Sequence, residues 1–169
     1  IRQANKLVLP GVGAFGDCMK NLSTSGLIPT IQEMIAAEYP LLGICVGLQI
    51  LFEGSEESPA VEGLGIFKGM VRKIQAPDLK IPHMGWNSLT ISEPRQKNDL
   101  FHGLAEHPYV YFVHSYHAVP DNPDIITATA DYGETLTAAV AKGNVQATQF
   151  HPEKSGDVGL QILKNFVRG

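Results

Sequence analysis

Cys45 lies in the stretch Gly43-Ile44-Cys45-Val46-Gly47, which places a thiol between two glycines. An apolar run precedes the stretch and a helix-like segment follows it, so the pattern predicts a strand, a sharp turn and a helix with cysteine at the apex. This is the thiol version of the G-x-S-x-G nucleophile elbow, in which glycines leave room around a strained turn. The partial positive charge at the start of the helix is expected to favour thiolate over thiol. A free cysteine is alternatively a small buried apolar residue.

A second chemical pattern is His151-Pro152-Glu153, which follows the last predicted strand. Open α/β sheets place their sites at such strand ends. Histidine suits the transfer of a thiol proton because its pKa lies near neutrality, and a carboxylate two residues away can face the same side and orient the imidazole. Alone, this tripeptide is also typical of a surface turn. Together with Cys45 it predicts a Cys-His-Glu triad for acyl transfer.

An acyl-transfer centre also needs hydrogen-bond donors for the oxyanion. The backbone N–H of Val46, the residue after the proposed nucleophile, is one candidate. The loop that contains Gly11, Val12 and Gly13 follows a neighbouring predicted strand and can present another, because glycine lets a peptide plane turn or approach closely. Glycines at this place equally serve a simple turn between a strand and a helix.

The elements that must position these residues follow from hydrophobic patterning. In the first half, the order strand, helix, helix, strand, helix is typical of a parallel α/β sheet, at residues 6–9, 14–22, 28–37, 41–44 and 46–53. In the second half we predict strands, a hairpin and a final amphipathic helix, at residues 66–74, 87–91, 110–113, 125–130, 136–150 and 158–167. We therefore expect one domain over residues 1–169: an α/β fold with a mostly parallel central sheet, helices on both faces and an antiparallel extension.

The composition excludes several classes of protein. A formal net charge of −4 without runs of Lys or Arg argues against nucleic-acid binding, and no apolar stretch reaches membrane-spanning length. No secretory signal opens the chain. The two cysteines, Cys18 and Cys45, make neither a disulfide framework nor a zinc site, and Cys18 is interpreted as an inert helix residue. We expect a cytoplasmic protein without a metal or another cofactor.

The elbow, together with Gln49 and the segment 149–153 (QFHPE), resembles the motifs of the class I (triad) glutamine amidotransferases. Further stretches resemble, within that family, the glutaminase subunits of imidazole glycerol phosphate synthases: residues 9–16 (LPGVGAFG), 81–87 (IPHMGWN), 111–116 (YFVHSY) and 151–156 (HPEKSG). The similarity extends from about Lys6 to Phe166. It implies a flavodoxin-like fold in which a strand and a helix precede the segment at Lys6. Both are absent from this sequence, so an N-terminally incomplete domain is expected.

The resemblance also implies an activity and a partner. L-glutamine would be hydrolysed to glutamate and ammonia through a thioester, and the ammonia would pass to a (β/α)8-barrel cyclase subunit. That partner makes imidazole glycerol phosphate and aminoimidazole carboxamide ribonucleotide in histidine biosynthesis. In this scheme Cys45 is the nucleophile, His151 the acid and base, and Glu153 the orienting carboxylate.

Roles for other positions follow from the same resemblance. It assigns oxyanion stabilisation to Val46, Gly11, Val12 and Gly13, and substrate binding to Gly43, Gln49, Ser115 and Tyr116. It assigns the partner interface to Pro82, Met84, Trp86, Asn87 and Tyr111. The oxyanion loop is expected to need a rearrangement driven by the partner, which would limit wasted hydrolysis. Trp86, the single tryptophan, alternatively fills the core.

The remaining histidines receive a plain interpretation. They are taken as loop residues that are solvated or hydrogen-bonded, since no pair has the spacing of zinc ligands: His83, His102, His107, His114 and His117. Only His114 stands apart, because it adjoins the expected substrate loop at Ser115.

Two other functions stay open. The chain could serve a different amidotransferase, such as a chorismate-using or a pyridoxal phosphate-forming enzyme. It could instead be a non-enzymatic flavodoxin-like module in which Cys45 senses oxidants. The pair His151 and Glu153 counts against the second alternative, because a sensor needs no general acid.

Overall fold

The structure is a computed structural model that describes residues 1–92 and 99–169. Strands and helices alternate in the first third of the chain, and strands dominate the middle. In chain order the elements are β1 (Leu7–Gly11), α1 (Phe15–Thr24), α2 (Ile28–Ala36), β2 (Leu41–Cys45), α3 (Val46–Gln49), β3 (Gly54–Ser55), β4 (Gly69–Lys73), β5 (His83–Ser88), β6 (Thr90–Ile91), β7 (Tyr109–His114), β8 (Tyr116–Pro120), β9 (Ile126–Asp131), β10 (Thr135–Lys142), β11 (Val145–Thr148) and α4 (Gly156–Arg168). Single 3-10 turns occupy Pro123–Ile125 and Pro152–Lys154.

The central sheet has six strands in the order β1-β2-β11-β10-β9-β6. The three strands β1, β2 and β11 run parallel, and antiparallel pairing then adds β10, β9 and β6. All five residues of β2 are buried, as expected for a parallel strand that is covered on both faces. The parallel part with its antiparallel extension is the α/β arrangement that the sequence predicted. Because β2 and β11 lie side by side, the segments that follow them emerge at neighbouring positions of one sheet edge.

Two apolar clusters hold helices against the two faces of this sheet. Leu42 and Ile44 of β2 belong to a cluster that includes Phe15 of α1 and Phe166 of α4. Leu41 belongs to a second cluster, which contains residues of α2 and β4. The alternation of side chains along β2 therefore separates the two halves of the core.

Two smaller sheets flank the central one. Strands β3, β4 and β8 form the first, and the antiparallel pair β5 and β7 forms the second. The register of that pair places His83 opposite His114 and Trp86 opposite Tyr111. From these two sheets, Val113 and His114 of β7 and Tyr116 of β8 line the cavity that also contains Cys45.

Several predicted bounds were wrong. The helix after Cys45 ends at Gln49 rather than at 53, because the next amides make tighter bonds, from Leu51 to Leu48 and from Phe52 to Gln49. The strand predicted at 66–74 spans only Gly69–Lys73. The strand predicted at 87–91 is two strands, β5 and β6, and β5 already begins at His83. Strand β8 was not predicted.

Candidate active site

The turn between β2 and α3 is as sharp as the glycine pattern indicates. Cys45 has φ 55° and ψ −114°, a left-handed conformation that side chains rarely adopt. Glycine is required beside it for steric reasons. A Cβ on Gly47 would lie 1.9 Å from the Leu9 carbonyl oxygen, and one on Gly43 would lie 2.9 Å from the Gly47 oxygen. The elbow helix α3 can therefore pack directly against β1 and β2 only because both of these positions are glycine.

The ionisation of Cys45 differs from the expectation. The residue is only 4% exposed, and burial raises the pKa of its thiol to about 11. The N–H of Val46 acts in the opposite direction but is outweighed by the loss of solvation. The prediction that the helix start favours thiolate was wrong, since α3 has only four residues and contributes less than desolvation costs. The thiol therefore holds its proton until a base takes it.

His151 is held rigidly in the position of such a base. Its Nδ1 lies 2.6 Å from Oε1 of Glu153. Its backbone N–H donates to the Tyr111 carbonyl at 3.0 Å, and its carbonyl accepts from the Ser155 hydroxyl at 2.6 Å. Pro152 begins the 3-10 turn that brings Glu153 back to the imidazole. Both the ring and its backbone are fixed from several directions.

The tautomer of His151 follows from this contact. A carboxylate only accepts, so Nδ1 bears a proton, and in the neutral imidazole Nε2 then presents its lone pair. Nε2 is buried and has no hydrogen-bond partner among the residues that the structure describes. Leaving a buried acceptor unpaired costs about 1–3 kcal/mol. An atom in that state is available to accept a proton from a thiol or a bound molecule.

A cavity of about 340 Å³ brings the chemistry together. This volume lies in the range of small-molecule sites. Its wall includes most of the residues that the sequence assigned to catalysis, oxyanion stabilisation and substrate binding: Val12, Gly13, Cys45, Val46, Gln49, Ser115, Tyr116 and His151. Glu153 stands behind His151, and Gly11 lies opposite Cys45 in the register of β1 and β2. Gly43 lies within β2, where it makes room for α3.

The wall also contains Glu57 and Lys154, which the sequence reasoning missed, and His114, which the sequence had set apart only because it adjoins Ser115. Oε2 of Glu57 accepts the backbone N–H of Phe15 at 2.8 Å, at the first turn of α1. Gln149 is fully buried, and its Nε2 lies 3.8 Å from the Cys45 sulfur. Neither Glu57 nor Gln149 belongs to a periodic pattern, and only the folded chain brings Glu57 to the cavity and Gln149 to the Cys45 sulfur.

The loop at Ser115 and Tyr116, which the sequence assigns to substrate binding, is hydrogen-bonded to the elbow helix α3. The Tyr116 carbonyl accepts from Nε2 of Gln49 at 3.0 Å, and the same amide nitrogen lies 3.1 Å from Oε1 of Gln149. Gln49 therefore positions the loop as well as lining the cavity. Outside the cavity wall, the Cys18 thiol donates to the Val12 carbonyl at 3.2 Å, and burial raises the pKa of that thiol.

The histidine interpretation was wrong for three residues. His83, His114 and His117 lie in strands and are buried rather than placed in loops. Within residues 1–92 and 99–169, no cluster of three or more His, Cys, Asp or Glu side chains could hold a metal ion. In the same residues, no helix combines the length and apolar character needed to cross a membrane.

A larger cavity of about 500 Å³ is lined by Lys6, Asn144 and Phe166 among others. The described part of its wall contains none of the triad residues. We therefore assign the site by its chemistry rather than by its size.

The stretch expected at an interface is exposed in part. Met84 and Trp86 on β5 are 61% and 57% exposed, so Trp86 does not fill the core. The Trp86 ring meets Tyr111 edge to face at 6.2 Å. Asn87 is half-buried and donates to the Asp131 carbonyl at 2.8 Å, and Pro82 lines the cavity.

Comparison with known proteins identifies the class. The family model described as "Glutamine amidotransferase class-I" matches residues 3–169, so the chain belongs to the class-I glutamine amidotransferase family. Curated relatives carry the name "Imidazole glycerol phosphate synthase subunit HisH". The one from Syntrophotalea carbinolica is 51% identical over 98% of this chain and 82% of its own length. Those from Thermosynechococcus vestitus and Methanothermobacter thermautotrophicus are each 52% identical, over 97% and 99% of this chain and 78% and 80% of their own.

Solved structures support the fold. A structure of PurLQS from Thermotoga maritima superposes with a TM-score of 0.72 at 16% identity, covering 99% of this chain and 81% of that chain. A glutamine amidotransferase structure gives 0.69 at 20% identity, covering 96% and 79%. At these identities the likeness extends to the fold alone.

The raised pKa of Cys45 predicts a pH profile for its reactivity. In a Cys18→Ser variant, which leaves one thiol, alkylation by iodoacetamide should accelerate about tenfold per pH unit up to about pH 10, since only thiolate reacts. Mass spectrometry of the isolated chain over time measures the rate. When the same variant is unfolded in urea, its alkylation rate should instead follow the titration of a thiol with a pKa of about 8.5. An alkylation rate of the folded chain that is fast and independent of pH between about pH 6 and about pH 8 would contradict the raised pKa of Cys45.

Proposed function

We propose that this chain is the glutaminase subunit of imidazole glycerol phosphate synthase. It hydrolyses L-glutamine to glutamate and ammonia, and the ammonia passes to a (β/α)8-barrel cyclase subunit that makes imidazole glycerol phosphate and aminoimidazole carboxamide ribonucleotide in histidine biosynthesis. The observation that supports this most strongly is that Nε2 of His151, in the same cavity wall as Cys45, has no hydrogen-bond partner in residues 1–92 and 99–169. The relatives named HisH at about half identity supply the pathway. The compartment in this proposal is the cytoplasm, where Cys18 and Cys45 stay reduced.

The first half of the reaction begins with the thiol. Nε2 of His151 takes the proton of Cys45 as the sulfur attacks the carboxamide carbon of glutamine. Glu153 stabilises the imidazolium through the bond at Nδ1. The N–H of Val46 and the loop at residues 11–13 stabilise the oxyanion of the tetrahedral intermediate. Coupling proton transfer to attack removes the need for a preformed thiolate, which the burial of Cys45 disfavours.

The second half releases both products. The imidazolium returns its proton to the amide nitrogen, the C–N bond breaks, and ammonia leaves a glutamyl thioester on Cys45. Water then attacks the thioester carbon while His151 accepts its proton and passes it to the departing sulfur. Glutamate and the free thiol result.

Cavity-wall residues outside the triad are proposed to orient the substrate. Backbone groups of Ser115 and Tyr116 hold the α-amino and carboxylate end of glutamine, with Gln49 beside them. The Glu57 carboxylate keeps one oxygen on the Phe15 amide and can receive the α-ammonium group with the other. Gly43 contributes indirectly, by leaving room for the elbow helix that carries Gln49.

The partner is proposed to bind the exposed face of β5. Met84 and Trp86 form an apolar, edge-packed surface with Tyr111, and Pro82 connects it to the cavity. Aromatic residues and methionine are enriched in protein interfaces. A contact here lies one strand away from the substrate loop, since β5 pairs with β7 and β7 leads into Ser115.

The nucleophile assignment predicts a complete loss of activity on removal of the sulfur. Cys45→Ala should lower ammonia release from glutamine by about 1,000-fold or more in the complex with the cyclase, because no acyl acceptor remains. Cys18→Ser is the matched control, as it removes the other thiol and keeps a donor near Val12. A coupled assay for ammonia measures catalysis, and calorimetry measures binding to the cyclase. The two measurements together separate a loss of catalysis from a loss of assembly. Retained glutaminase activity in Cys45→Ala would refute the role.

The interface proposal predicts that Trp86→Ala weakens association with the cyclase. Loss of a large exposed aromatic from the centre of an interface should cost about 2 kcal/mol, or about 30-fold in Kd. Val167→Ala is the control, because Val167 is 68% exposed but lies at the far end of α4. Isothermal titration calorimetry measures the Kd of both variants for the cyclase. Equal affinities for Trp86→Ala and the parent chain would place the interface elsewhere.

A further inference from the structure

Two buried histidines outside the triad face each other across the β5–β7 pair. His83 and His114 are register partners and are 2% and 6% exposed. Nδ1 of His83 lies 2.9 Å from Nε2 of His114. The mechanism above uses neither ring, so their burial and contact need a separate explanation.

The contacts fix the tautomer of each ring. Nδ1 of His114 lies 2.8 Å from the Tyr116 carbonyl oxygen, which only accepts, so that nitrogen bears the proton. Nε2 of His114 must then accept, and Nδ1 of His83 donates to it. Nε2 of His83 in turn accepts from Nδ2 of Asn87 at 3.3 Å. Burial lowers the pKa of His83 to about 4 and that of His114 to about 3, so both rings are neutral near pH 7.

The orientation of His83 is set by stacking as well as by hydrogen bonds. Its ring lies between Phe112 and Tyr132, with centroid distances of 4.6 Å and 4.1 Å and interplanar angles of 27° and 28°. A ring held on both faces cannot tilt without breaking aromatic contacts. The donor at Nδ1 is therefore aimed at His114 by packing against Phe112 of β7 and Tyr132, which follows β9.

The chain of bonds ends on the substrate loop. The Tyr116 carbonyl accepts from His114 and also from Gln49, which continues to Gln149 and towards the Cys45 sulfur. Both lone-pair directions of this carbonyl are thus occupied, so the peptide that joins Tyr116 to the next residue cannot rotate freely. The backbone groups of Ser115 and Tyr116 that face the cavity inherit this fixed orientation.

At its other end, this series of hydrogen bonds starts from β5. His83 and Asn87 occupy its inner side, whereas Met84 and Trp86 project to solvent from the same strand. A shift of β5 would move the His83 donor relative to His114. The exposed surface and the substrate loop therefore share one rigid connection.

We infer that His83 and His114 are positioning residues, which hold the Ser115–Tyr116 backbone in its glutamine-binding conformation and link that backbone to the exposed strand β5. The inference rests on the proposed function, since it assigns these rings to the binding of glutamine. Neither ring takes part in proton transfer. Their contribution is to substrate affinity, because the groups they orient meet the non-reacting end of the substrate.

Paired variants at His83 separate the donor from the bulk of the ring. His83→Phe keeps an aromatic ring between Phe112 and Tyr132 but removes the donor to His114. His83→Asn loses the stack but keeps an N–H near the position of Nδ1. In the complex with the cyclase and its ligand, His83→Phe should raise KM for glutamine about tenfold and change kcat less than about twofold. His83→Asn should return KM to within about threefold of the parent.

The outcome that overturns the inference is an equal effect of both variants on KM, or no effect of either. A parent complex without glutaminase activity would refute the proposed function instead. Nitrogen-15 NMR of the parent chain gives a readout that does not depend on activity. His114 should show a protonated Nδ1 and a bare Nε2 from about pH 6 to about pH 8, and His83→Phe should perturb that Nε2 signal. The opposite tautomer in the parent chain would overturn the inference even if glutamine is hydrolysed.

Discussion

The close approach of α3 to the parallel strands is the constraint on which the site depends. It holds Cys45 at a positive φ, and it exists because Gly47 presents no side chain to the Leu9 carbonyl. The strain of such a residue, of order 1–3 kcal/mol, persists only where surrounding packing fixes it. Here the packing is supplied by β2, which is buried along its whole length between β1 and β11. The same arrangement brings the segment after β11, with His151, beside the elbow.

Burial of the Cys45 thiol determines how the proposed triad must work. Desolvation raises the pKa of Cys45, so the resting residue is a protonated thiol rather than a thiolate. Nε2 of His151 is bare and unpaired within the described part of the chain, while Glu153 fixes Nδ1. A protonated Cys45 and an unpaired Nε2 of His151 together form a resting state. In this account, proton transfer between them occurs only when a bound substrate accepts the sulfur. This suits a chain proposed to deliver ammonia to a partner, since idle hydrolysis is wasteful.

The parts of the fold and the site that could be predicted from the sequence are those encoded by short local patterns of residues. The glycines around Cys45 and the two-residue spacing of His151 and Glu153 encode geometry over a few residues, and the strand–turn–helix and the hairpin of β10 and β11 were found in the same way. Features that depend on distant parts of the chain were missed. His83 meets His114 from 31 positions away, and Glu57 meets the first turn of α1 from 42 positions away. The pKa of Cys45 was misjudged because desolvation depends on the whole fold, whereas the helix start could be seen locally.

Covalent labelling tests the central claim most directly, namely that Cys45 is the acyl acceptor for glutamine. The complex of this chain with the cyclase is treated with a glutamine-mimicking electrophile, and the modified peptide is identified by mass spectrometry. The account predicts one label per chain on Cys45, with protection by glutamine and no label on Cys18. Labelling of Cys18, or labelling of Cys45 that glutamine does not slow, would contradict it.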